Sequence, residues 1–399
     1  MAVTTLDSDA SQPARASLLY DPVIRGIVFQ VLLALLILYL VVSGIANAAA
    51  NLANAGIASG FGFLGERAGF DIGQTLIPYT SDSSYQRAFF VGLLNTIFVA
   101  AIGIACATVL GFIVGIARLS KNFLVRKVAS VYVETLRNIP LLLQLLFWYK
   151  AVLSTLPAPR GSLELFNASV LLNNRGLIIP QWLPEAGAGI VYASIAIGIG
   201  AAIVIARWAK RRQMATGQAF PTIRMALGLV IGLPLVVLFL MGTPFTPQYP
   251  ELKGFNFVGG STLRPEFMAL LLGLSLYTAA FIAEIVRAGI LAVSKGQTEA
   301  AYSLGIRPNT TMRLVIIPQA LRVIIPPLTS QYLNLTKNSS LAIAVGYPDL
   351  VSVFSGTVAN QTGQAVEVIS ITMLVYLSLS LLTSAFMNWF NSRVALVER

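Results

Sequence analysis

The 399-residue chain has no histidine, a single cysteine (Cys106) and only 11% charged residues. With no histidine and one thiol, neither a Cys/His zinc site nor a disulfide framework can be built. A soluble domain carries about 25% charged residues, so so low a charge content argues against a water-soluble globule. Any Gly-Lys dipeptide is missing too, and with it any G-x-x-x-x-G-K-[ST] loop that could cradle nucleotide phosphates. What is plentiful is apolar sequence: 56% of residues are hydrophobic, too many for a disordered chain. A polytopic membrane protein remains.

A helix crosses the hydrocarbon core with about 20 mostly apolar residues. Eight runs qualify: about 27–46, 88–107, 139–156, 188–206, 225–240, 268–285, 321–335 and 368–387. The seventh is the weakest, because it contains Pro326-Pro327 and is cut short by Asn334 and Lys337. Continuous rather than alternating apolarity excludes a β-barrel, so an all-α polytopic fold is expected. The polar stretch 1–26, with Asp7, Asp9, Pro13, Arg15 and Asp21, is too long and acidic for a signal peptide's start. The first span is therefore expected to be retained rather than cleaved.

The net charge of +11 is mostly a topology signal. With a cytoplasmic N-terminus and eight spans, nineteen lysines and arginines fall on inside segments and seven outside, while Lys150 lies within a span. Basic residues favour the cytoplasmic side, which puts both termini inside. Outside loops at 47–87, 157–187 and 242–267 are long and punctuated by Gly, Pro and Asn. Gly60-Phe61-Gly62-Phe63-Leu64-Gly65 reads as a plain surface loop, with an interfacial position as the alternative. No repeat of 20–50 residues occurs, and no inverted pair of broken helices.

One cytoplasmic loop, 287–318, is polar and helix-forming. Ser294 with Gln297 three residues on is a capping-box pattern, and Gly305 is a natural left-handed terminator. Thr310 offers the next N-cap, and a short segment from Met312 to Ile317 is expected to stop at Pro318. The spacing predicts helix, tight turn, helix at the membrane surface. It suits either a knob for a partner's groove, with Ala300 and Ala301 permitting close approach, or an amphipathic connector on the headgroups.

Glu299-Ala300-Ala301, then Gly305, then Val315-Ile316-Ile317-Pro318 closely resembles the EAA loop of bacterial ABC-importer permeases. Three further stretches resemble that family's polar amino-acid branch: Glu134–Gln144 with Arg137-Asn138-Ile139-Pro140, Ala283–Ile290, and Lys337–Leu341. The extra first span, the long outside loops and two inserted spans are similar to the larger permease of general L-amino-acid importers. The resemblance implies a five-helix type I core within about eight transmembrane helices. It divides the chain into 1–87 (N-terminus, extra span and outside loop), 88–156 (two core helices), 157–266 (insertion with two extra, lipid-facing spans) and 267–399 (three core helices and the EAA loop).

The function implied is the permease subunit of an importer of polar L-amino acids in the bacterial inner membrane. Its implied partners are ABC ATPase subunits, a second, different permease chain, a periplasmic amino-acid-binding protein and membrane lipid. Neither nucleic acid nor a cofactor is called for. Gln297, Glu299, Ala300, Ala301, Gly305 and Pro318 form the expected ATPase-coupling loop. Intramembrane polar residues turn toward a cavity or a partner, which makes Gln144, Glu284, Asn334, Asn338 and Ser339 candidates for the substrate pathway, with Tyr277 nearby. Glu284 can also pair with Arg287 one turn on, and Gln144 and Asn138 can bond between helices. The stretch 334–340 is expected to break the seventh span. A stand-alone secondary transporter or channel is the alternative; it needs ion-coupling acids in the spans, and only Glu284 qualifies clearly. A membrane enzyme is disfavoured by the lack of any nucleophile–base pair.

Overall fold

A computed structural model of the chain describes residues 22–54, 56, 60–166, 169–218 and 220–394. The acidic stretch expected at the cytoplasmic N-terminus lies outside them as far as Asp21, as does the C-terminal Arg399. Among the described residues, seven helices are long and apolar enough to cross a membrane. These are α1 (Pro22–Asn54), α2 (Tyr85–Ala117), α5 (Ala188–Thr216), α6 (Thr222–Leu240), α7 (Pro265–Leu291), α9 (Pro308–Val345) and α11 (Ala365–Val394). Between them lie α3 (Phe123–Asn138), α4 (Leu141–Leu153), α8 (Lys295–Ser303) and α10 (351–362).

The third expected span is a correction. Pro140 separates amphipathic α3 from α4, whose six- and seven-residue halves reach about 20 Å together. The hydrocarbon core is about 30 Å thick, so α4 does not cross it by length alone. The seventh span is also corrected, in the opposite direction. Far from breaking at 334–340, α9 runs 38 residues, widening at Met312–Ile316 and tightening to 3-10 geometry at Ser339–Val345. Pro318 does not stop it. A proline inside a helix forfeits one ladder bond, and the wide turn at Met312–Ile316 immediately before Pro318 takes up the mismatch.

The core is built on α7, where Leu270, Leu274, Ile282 and Val286 are fully enclosed by α2, α4 and α9. Small residues on α2 make this approach close. A Cβ on Gly111 would stand 2.5 Å from Ile282 Cγ2, and one on Gly115 would stand 2.8 Å from the Ala283 carbonyl. Apolar surface gains little by association within lipid, so such close backbone packing is what holds membrane helices together. On α7 itself, Gly289 gives Ile324 of α9 the same room.

The all-α architecture holds, with small sheets of short strands added at one end of the helices. β1 (Leu163–Leu165), β2 (Val170–Asn173) and β3 (Gly176–Ile179) form an antiparallel sheet with β8 (Ser261–Leu263), which leads into α7. A Cβ on Gly176, φ +122°, would sit 2.1 Å from the Leu263 carbonyl oxygen, so only glycine fits this crossing. β4 (Gln181–Pro184) pairs with β5 (Phe245–Gln248), tying together the outer ends of α5 and α6. β6 (Glu251–Lys253) and β7 (Asn256–Val258) form a hairpin. Three- and four-residue strands are too short for their alternation to stand out in the sequence.

The Gly60–Gly65 stretch is no plain surface loop either. Phe63 is buried with its ring 6.1 Å from that of Tyr85. Asn95 of α2 clamps the outer segments from below, its Nδ2 donating to the carbonyls of Gln74 and Pro348 at 2.8 Å each. Beside it, Asp349 is fully buried and accepts from the Ser352 N–H at 2.8 Å and the Tyr376 hydroxyl at 3.0 Å. Burial pushes its carboxyl up to about 7, against the pull of these hydrogen bonds.

Candidate coupling elbow, ion-pair cluster and polar cleft

The loop after α7 folds into an elbow. Ser294 stands at the N-cap of α8, but its side chain makes no capping bond, so the expected capping box is incomplete. The reason is tertiary: the Gln297 side chain turns away from Ser294, its Oε1 accepting from Gln319 Nε2 of α9 at 3.3 Å. The C-terminal expectation holds. Gly305 adopts φ +71°, its N–H donates to the Tyr302 carbonyl at 2.9 Å, and Ile306 N–H donates to that of Ala301 at 3.1 Å. That bond pair is a Schellman motif. α9 then begins at Pro308 rather than at a Thr310 cap, because proline's fixed φ suits the first helical position.

Ala300 and Ala301 face different ways. Ala301 is buried against the elbow, whereas Glu299 and Ala300 are exposed on α8. Tyr302, Leu304, Met312 and Leu314 expose large apolar surface beside them, Leu304 at 79%. The elbow is thus a rigid, short helix with an apolar rim, fastened at both ends to long helices of the core.

About two turns before the end of α7, Glu284 gathers three arginines. Arg287, the expected partner, donates from Nη2 to Oε1 at 2.7 Å. Arg118 from the end of α2 bonds Oε2, and Arg137 from the end of α3 stands 3.7 Å from that oxygen. In the sequence Arg118 reads only as a topology signal and Arg137 as that and as part of the family-like stretch; nothing local joins either to a residue some 150 positions on. The cluster is net positive and pins α2 and α3 to α7.

A cleft of about 260 Å³ opens between α7 and α9, lined by Tyr277, Thr278, Phe281, Gln331, Asn334 and Asn338. Of the polar candidates, it brings together Asn334, Asn338 and the nearby Tyr277. Arg137 lies over the Phe281 ring at 5.1 Å, next to the cleft. The others are elsewhere. Ser339 is buried and donates to the Thr336 carbonyl at 2.7 Å. Gln144 bridges the Pro140 break, donating to the carbonyls of Leu136 and Ile139 at 2.9 Å each. Asn138 bonds Glu134 of its own helix, not a neighbour. Gln331 and Phe281 were missed, since a helical glutamine or phenylalanine carries no signal of its own. Among the described residues no cluster of acids or cysteine could hold a metal ion.

Comparison with known proteins agrees with this architecture. The model of the family described as binding-protein-dependent transport system inner membrane component matches residues 194–396. The general L-amino acid transport system permease protein AapQ of Rhizobium johnstonii is 56% identical over 383 residues, covering 96% of this chain and 95% of that protein. The Escherichia coli protein YhdX is 52% identical over 381 residues, covering 95% and 96%. The glutamate/glutamine/aspartate/asparagine transport system permease protein BztB of Rhodobacter capsulatus is 44% identical over 425 residues, covering 98% and 99%. With the family model matched over more than half its length and such relatives spanning nearly all of it, the chain belongs to the binding-protein-dependent transport system inner membrane components, as a multi-pass amino-acid ABC transporter permease.

Proposed function

We propose that this permease carries polar L-amino acids into the cell across the bacterial inner membrane, driven by ATP hydrolysed on separate ABC ATPase subunits. The observation that carries the reading is the elbow. Gln297, Glu299, Ala300 and Ala301 lie on a nine-residue helix with an apolar rim, Gly305 ends that helix, and Pro318 follows the wide turn in the first part of α9 behind it. A groove in an ATPase subunit can seat such a knob, and closure of an ATPase dimer would pull α8 and rock α7 and α9 between inward- and outward-facing states. A two-fold ATPase needs two such knobs. By likeness to the larger permeases, the second comes from a different permease chain, and a periplasmic binding protein delivers the amino acid.

The passage runs along the cleft at Asn334 and Asn338, where uncharged amide and hydroxyl groups meet a polar solute. Glu284, Gln144 and Ser339 act here as structural supports. The ion pairs of Glu284 speak against the stand-alone transporter, because an acid held by three arginines has no vacancy for a coupling ion. Both termini are cytoplasmic in this reading. The basic segments 118–137, 207–224 and 287–322 fall on one side only if α4, with its flanks, also completes a crossing.

The test is co-purification with ATPase subunits and measurement of binding-protein-stimulated ATP hydrolysis and L-amino-acid uptake in proteoliposomes. Glu299→Lys and Gly305→Pro are expected to abolish stimulated hydrolysis while the spans stay folded. Normal uptake by both variants would refute the coupling role.

A further inference from the structure

At the outer end of α7 lies a second site, built from residues that line neither the passage nor the elbow. A cavity of about 230 Å³ is enclosed by the 70–74 segment, the start of α7 and the 346–357 segment. This is smaller than the roughly 300–1,000 Å³ of pockets for drug-sized ligands, and of a size for one free amino acid. Its walls are held firmly: Asn95 bonds the backbone of both Gln74 and Pro348, which line it.

One buried acceptor in this cavity is orphaned, and an exposed arginine and a half-buried glutamate stand beside it. Gln74 Oε1 is buried with no hydrogen-bond partner among the described residues. Arg264 has no ion pair among the described residues. Its guanidinium lies over Gly73, where a Cβ would stand 2.6 Å from Nη1. Glu266 takes one bond, from the Tyr149 hydroxyl to Oε1 at 3.0 Å. Asp71 adds a second carboxylate at the rim. Arg264 and Glu266 also line a neighbouring cavity of about 480 Å³ bounded by Ile178 of β3 and Thr262 of β8. They stand where the two spaces adjoin.

An unpaired guanidinium beside an orphaned buried acceptor and carboxylates is the complement of a zwitterion. Arginine's planar fork matches a carboxylate, and a buried acceptor without a donor is costly until a donor arrives. We infer that the cavity between Gln74, Arg264 and Glu266 is an outer-vestibule binding site for a free L-α-amino acid, with Arg264 holding the α-carboxylate and Gln74 and Glu266 the α-ammonium. The inference rests on the proposed transport function and adds a docking step before the cleft. A site that reads only the two groups shared by all α-amino acids leaves side-chain selection to other parts of the system.

The test uses the complete transporter with its partner subunits in proteoliposomes, carrying Cys106→Ala and Thr357→Cys, the latter on the cavity wall. Labelling of this cysteine by a membrane-impermeant thiol reagent is followed with and without L-glutamine. L-Glutamine should slow labelling severalfold, and its decarboxylated analogue γ-aminobutyramide should not. Arg264→Gln should remove the protection and Arg264→Lys retain part of it. If Arg264→Gln does not assemble, Gln74→Leu takes its place and should weaken protection. Equal labelling rates with and without L-glutamine, or protection that survives Arg264→Gln, would overturn the site. Uptake of L-glutamine by the same vesicles, given ATP and binding protein, separates the two ideas. Uptake without protection removes the vestibule site alone, and absent uptake removes the transport reading beneath it.

Discussion

The α2–α7 pair, which runs parallel, and the antiparallel α5–α6 pair are both made of apolar helices, yet they are built on different terms. Along α2, Gly92, Gly103, Gly111 and Gly115 all meet another element so closely that an added Cβ would stand 3.3 Å or less from it. Along α5 only Gly198 does so, 2.2 Å from the Leu229 carbonyl, while Gly189 and Gly200 face open space. No residue of α6 is buried, whereas half of α7 is. The α2–α7 core is packed backbone to backbone, and the α5–α6 pair leaves large apolar side chains exposed. Hydropathy cannot tell these helices apart, because lipid and protein interior are equally apolar; only small residues at close contacts distinguish them.

The contrast can be broken most severely at Gly111 and Gly115. Leucine at either is expected to prevent a folded, monodisperse product in detergent, since overpacking costs about 1–3 kcal/mol or more even where neighbours give way. Gly200→Leu in α5 is the matched control and should purify normally. Next comes the charge cluster joining α2 and α3 to α7. Glu284→Gln leaves three arginines without their counter-charge and should lower stability by about 1–3 kcal/mol, read as a drop in the thermal midpoint. Arg137→Gln should cost less, because its contact with Glu284 is the longest.

A pH titration sharpens the picture at Asp349. Asp349 has its carboxyl raised to about 7 by burial, so the unfolded chain releases this proton at lower pH than the folded one. Its stabilising contribution is complete below about pH 4 and declines as pH rises toward 7. Asp349→Asn should flatten that part of the stability profile and keep the bond to Tyr376. The smallest effect is expected at Leu235 of α6, 47% exposed. Leu235→Ala should shift stability by within about 0.5 kcal/mol, against about 2–5 kcal/mol for Leu274→Ala in the enclosed face of α7.

Much of this could be read without coordinates, and the failures have physical causes. Gly305 as a helix terminator was legible because a Schellman turn is decided within six residues. The Ser294–Gln297 capping box was not, because Gln319 competes for the Gln297 side chain. Pro318 and Asn334 looked like interruptions by their residue types, yet a wide turn and the packing of α9 carry the helix through both. The strands near α7 were hidden by their brevity. Of the polar candidates, Asn334 and Asn338 share a cleft because they lie four residues apart on one helical face, whereas Glu284 and Gln144 are drawn off by partners on other elements.

Apolar run length, the bias of basic residues and the short-range signals of the elbow are properties of neighbouring residues, so the sequence alone determined the membrane class, the approximate spans and the position of the elbow. The tertiary structure decided which charges meet: Arg118 with Glu284 across 166 positions, and Gln74 with Arg264 around one cavity. Contacts between distant segments depend on the close approach of whole helices, and that approach is set by packing rather than by any local pattern.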